Sequence, residues 1–98
     1  MDSIFNEYGV LGSLLIDPSL FPEAAELPDD VFSSVPLQAV FRAMRRQYEE
    51  SGGFDALTIR AEAGRNCTDV TDRLLAGLMD TTPTTAKLDA HRSAVKEA

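Results

Sequence analysis

Three arginines crowd one short stretch of the chain: Arg42, Arg45 and Arg46, in the run FRAMRRQYEE. Arg42 and Arg46 are one helical turn apart, with Arg45 beside them. Grouped guanidiniums suit phosphate oxygens, so these three residues are the candidate nucleic-acid or partner contacts. The same run also carries its own neutralisation. Glu49 and Glu50 stand four residues beyond Arg45 and Arg46, the spacing of intrahelical ion pairs. A solvated, internally paired face is therefore the simpler reading of the cluster.

Other chemistries lack their residues. A phosphate-binding loop needs a glycine-rich turn ending in Gly-Lys-Ser/Thr. The glycines stand at 9, 12, 52, 53, 64 and 77, and none precedes a lysine. Cys67 and His91 are the only soft metal ligands, whereas a structural zinc site usually takes four. Cys67 falls in an expected loop and reads as an incidental thiol without an activating base. His91 reads as a half-buried packing residue of the last helix. The carboxylates Glu23, Glu26, Asp29, Asp30, Glu49, Glu50, Asp69 and Asp72 fall at helix ends and on polar faces. There the helix dipole and solvent account for them, and paired acid–base work would need a pocket that separates their pKa values. No catalytic, cofactor-binding or metal-binding constellation emerges, and the chain is expected not to be an enzyme by itself.

The elements that would hold these residues belong to one domain, residues 1–98. Apolar residues make up 44% of the sequence and charged residues 26%, the balance of an ordinary globular domain. With a single cysteine, no internal disulfide can form. The start, MDSIFNEYG, lacks the basic region of a signal peptide. The longest apolar run, GVLGSLLI, is eight residues, far short of the roughly 20 that span a bilayer. A soluble, cytoplasmic protein is expected, with no membrane partner. Its net charge of −7 makes it a poor tight binder of DNA by itself, although the basic residues could still form a local patch.

Strand signals are weak and helical periodicity recurs. A first helix is expected over about 3–16, with Ile4, Tyr8, Leu11 and Leu15 on one stripe, widened by Phe5 and Leu14. Asp17-Pro18 ends it and can open the next segment, as N-cap and first helical residue. Gly9, Gly12 and Ser13 are thin positions where another helix can approach. A second helix begins near residue 21, PEAAEL making about two turns, and PDDVF reads as a short helical turn. Pro36 starts a third helix carrying Leu37, Val40, Phe41, Met44 and Tyr48, and Gly52-Gly53 stops it. Asp55 caps a fourth, with Leu57 and Ile59 inward and Gly64-Arg65-Asn66 as its break. A fifth starts near Thr68 or Asp69 and buries Val70, Leu74, Leu75 and Leu78. After the turn cluster DTTPTT, a sixth carries Leu88, His91 and Val95 and is still running at Ala98. The fold class is all-α, a compact orthogonal or antiparallel bundle of five to six short helices. Leu11, Leu15, Phe21, Phe32, Phe41, Met44, Leu74 and Leu78 are the expected core.

The ordered text of the chain resembles a known family. YGVLGSLLIDPSLFPEAAEL is similar to the first two helices of the N-terminal domain of DnaB-type replicative helicases, where an AVLGSLLLDP-type run precedes an LF-x-E-V-A-E-L-type segment. DDVFSSVPLQAVFRAMRRQYEESGGFDALTIRAE resembles the middle of that domain through Phe32, Val40-Phe41, Met44, Gly52 or Gly53, and Asp55 with Thr58-Ile59. LLAGLMDTTPTTAKLDAHRSAVKEA resembles its close, with Thr82-Pro83 as fixed punctuation. The departures mark a divergent member. Leu37-Gln38 stand where the family has His-Arg, GRNCTDVTDR is short and lacks the usual glycine pair, and His91 replaces a common aromatic.

The resemblance implies an assembly and docking role in DNA replication without catalysis. In the family this domain joins others in a ring collar through a C-terminal helical hairpin, supports the ATPase motor and helps recruit primase and loader. The hairpin and the motor are absent from the text of this chain. ATP and Mg are expected only in a separate motor domain. The implied partners are other helicase subunits, primase or a helicase loader, with DNA reached only indirectly. Two other readings stay open: a stand-alone helical adaptor that binds a helicase or primase, and a weak DNA-binding helical domain acting through Arg42, Arg45 and Arg46.

Overall fold

The computed structural model describes residues 3–81, with side chains over 6–80. Five α-helices follow one another: α1 Ser3–Ile16, α2 Phe21–Ala24, α3 Val35–Ser51, α4 Ala56–Asn66 and α5 Asp72–Thr81. Short 3-10 turns stand at Pro18–Leu20 and Asp29–Val31. No strand occurs among the described residues, and the all-α expectation holds. The sixth helix, with Leu88, His91 and Val95, and the side chains of Ile4 and Phe5 lie outside the described residues.

α1 is the axis of the bundle. From Asn6 to Leu15 every residue is buried except the half-buried Tyr8, including Gly9, Gly12 and Ser13. It packs chiefly against α5 and also against α3. Proline disfavours helical backbone in the residue before it. Asp17 accordingly leaves the α region, at φ −138° and ψ 89°. Its carboxylate then accepts from the Ser19 N–H at 3.2 Å and the Ser19 hydroxyl at 2.6 Å, so Asp17 caps the turn that Pro18 opens.

α2 is a single turn, shorter than PEAAEL suggested. The Leu27 N–H closes a turn onto the Ala24 carbonyl at 3.1 Å, and Pro28 is extended, with ψ 154°. The restriction that Pro28 places on its predecessor converts the second turn into a corner. Ser34 caps α3 through the Leu37 N–H at 3.4 Å. Gly52 ends it in the left-handed conformation, φ +79°, which glycine adopts without steric cost. Between these ends Leu37, Val40, Phe41 and Met44 are buried and Tyr48 is half-buried. Phe41 meets Phe32 at 4.9 Å and Phe21 at 5.7 Å between ring centroids. Phe21 in turn touches Tyr48 and Phe54. This aromatic cluster joins α2, α3 and the loop after Gly52.

α4 opens on a capping box. The Asp55 carboxylate accepts from the Thr58 N–H at 2.8 Å, and the Thr58 hydroxyl accepts from the Asp55 N–H at 3.1 Å. Ile59 is fully buried as expected, but Leu57 is 78% exposed. Residues two apart on a helix point about 200° from one another, so Leu57 cannot share the inward face of Ile59 and Ala63. The expected stop at Gly64-Arg65-Asn66 comes at the last of the three residues. α4 runs through Asn66, and Cys67 donates its N–H to the Ala63 carbonyl at 2.8 Å. An interior glycine costs a helix only about 1 kcal/mol. Here a Cβ on Gly64 would run into the Arg60 guanidinium.

α5 begins at Asp72, later than Thr68 or Asp69. The Thr71 hydroxyl accepts from the Leu74 N–H at 3.2 Å, while Val70, buried, belongs to the turn before it. Leu75 and Leu78 are buried, but Leu74, expected in the core, is half-buried. It lies at the edge of the stripe that Leu75 and Leu78 centre on α1. The other expected core residues, Leu11, Leu15, Phe21, Phe32, Phe41, Met44 and Leu78, are all buried.

Candidate docking surfaces

α3 is long enough to carry Phe41 inward and the arginines outward on alternate sides of its turns. The structure engages each arginine with a carboxylate. The Arg42 Nε donates to Asp29 Oδ2 at 3.0 Å, and a terminal nitrogen of Arg42 reaches the Gln38 side chain at 3.4 Å. Arg45 donates to Asp29 Oδ1 at 2.5 Å and to the Leu27 carbonyl at 2.6 Å. Its guanidinium also lies 4.8 Å from the Phe41 ring centre, a cation–π placement. One carboxylate, on the turn Asp29–Val31, thus ties two arginines of α3 to the corner that follows α2. Arg45 takes this route in place of the intrahelical pair with Glu49.

Arg46 makes the intrahelical pair anticipated with Glu50, at 2.8 Å. It also grips Glu62 of α4 with two nitrogens, Nε at 2.7 Å from Oε2 and a terminal nitrogen against Oε1. Gln47 adds a third donor to Glu62 at 3.0 Å and reaches the Thr58 carbonyl at 3.1 Å. Glu62 is only 8% exposed. The hydrogen bond from Arg46 holds its carboxyl below the usual glutamate range, against burial, which works in the opposite direction. The same bond raises the Arg46 guanidinium further above its already high value. The fork is a clamp between α3 and α4.

A second carboxylate in the interior escaped the sequence. Glu7 of α1 is 2% exposed. It accepts from the Ser33 N–H at 2.6 Å and the Ser33 hydroxyl at 3.1 Å, which pins the entry to α3 onto α1. Neither Glu7 nor Glu62 is available as a solvent-facing acid or base. Among the described residues, no group of three or more His, Cys, Asp or Glu is placed to hold a metal ion. Cys67 is half-buried, and His91 lies outside the described residues. No helix among the described residues is long and apolar enough to cross a membrane.

The opposite chemistry appears where α4 meets α5. Ala56 and Leu57 from the first turn of α4, with Asp72, Leu75, Ala76 and Met79 from α5, line an open groove of about 320 Å³. Leu57 stands 78% and Met79 36% exposed on it. Surface hydrophobics are ordinary when scattered, and here two of them stand together along one groove. Sequence periodicity missed this groove because it assigned Leu57 to the core.

Comparison with known proteins agrees with the family resemblance. Residues 2–97 match the DnaB-like helicase N terminal domain family. Over 60 residues the chain is 40% identical to the "Replicative DNA helicase DnaB" of Rhodothermus marinus. That alignment covers 60% of this chain but only 6% of the relative's length. The family match spans nearly the whole sequence, and the chain belongs to the DnaB-like helicase N-terminal domain family.

Proposed function

We propose that this chain is an assembly and docking domain of a replicative DNA helicase, without catalysis of its own. It supports ring assembly and helps recruit primase or a helicase loader. ATP and Mg belong, on this reading, to a separate motor domain. The observation that carries the proposal is the family match across residues 2–97. The structure adds a physical reason to favour protein partners over DNA. Phosphate binding draws on unneutralised Lys and Arg, whereas Arg42, Arg45 and Arg46 are each paired with a carboxylate inside the fold. Those pairs neutralise much of the charge that phosphate contact would draw on.

The test is co-sedimentation of the purified 98-residue chain with the cognate primase, the helicase loader and the helicase subunits. A complex with one of them, formed without nucleotide, is the expected result. A chain that sediments alone with all three, yet shifts on single-stranded DNA in a salt-dependent way, would replace this reading with the DNA-binding one.

A further inference from the structure

We draw no further inference here: the strongest candidate, the open apolar groove between α4 and α5 lined by Leu57, Leu75, Ala76 and Met79, carries nothing because Asp72 at its rim is already paired with Arg60 and nothing in the structure shows what covers it.

Discussion

The arginine-bearing face of α3 and the groove between α4 and α5 invert their first appearance. The α3 face carries the residues that look functional, three guanidiniums in one run, and the fold uses them internally. Asp29 binds two of them and Glu62 clamps the third. The groove carries residues that look structural, a leucine and a methionine at helical spacings, and the fold leaves them in solvent. A charged side chain near complementary charge brought in by tertiary structure is a fastener. An apolar side chain two positions out of register with the core is left in solvent.

The difference can be broken from either side. The strongest effect is expected where α3 faces inward. Phe41 is fully buried against Phe32 and Phe21, so Phe41→Ala should cost about 3–5 kcal/mol. Urea denaturation reads this directly, and an unchanged midpoint would mean that the aromatic cluster does not hold α3.

Next comes the clamp. Glu62→Ala removes a buried acceptor of charged hydrogen bonds and should cost about 1–3 kcal/mol. Because the folded-state carboxyl is held below the ordinary range, its contribution is fully present above that range and is lost as pH falls through the lowered value. Melting followed from neutral to acid pH should therefore show a smaller acid-dependent loss for Glu62→Gln than for the wild type. Identical pH slopes would remove Glu62 as a source of acid sensitivity.

Asp29→Ala should have a milder effect, about 1 kcal/mol or less, because Arg42 and Asp29 keep contact with water. Added salt should narrow the gap between Asp29→Ala and the wild type. Smallest in stability is Leu57→Asp, expected within about 0.5 kcal/mol of the wild type. A collapse of the melting temperature there would show that Leu57 packs where the structure leaves it exposed.

Most of the fold was legible in the sequence because its punctuation is local. Asp17-Pro18, Pro36, Gly52 and Asp55 act within four residues of themselves, and helical periodicity places Phe41 and Met44 without further help. The errors came where local signals compete with tertiary ones. Gly64 itself stays inside α4, which ends two residues later at Asn66, and a Cβ there would meet the Arg60 guanidinium. Leu57 is apolar yet out of register with Ile59. The candidate site was less legible still. Asp29 and Glu62 bind arginines 13 to 16 residues away, and Glu7 meets Ser33 across 26 residues. No spacing rule reaches that far, so the sequence could pair Arg46 with Glu50 but could not foresee the one carboxylate, Asp29, that holds both Arg42 and Arg45.

The inversion between the two faces is tested most directly by urea denaturation of three proteins: the wild-type chain, Glu62→Ala and Leu57→Asp. Glu62→Ala should lose about 1–3 kcal/mol, while Leu57→Asp stays within about 0.5 kcal/mol of the wild type. A collapse of Leu57→Asp beside an unchanged Glu62→Ala would make the exposed leucine the fastener and the clamp the ornament, and would contradict the inversion.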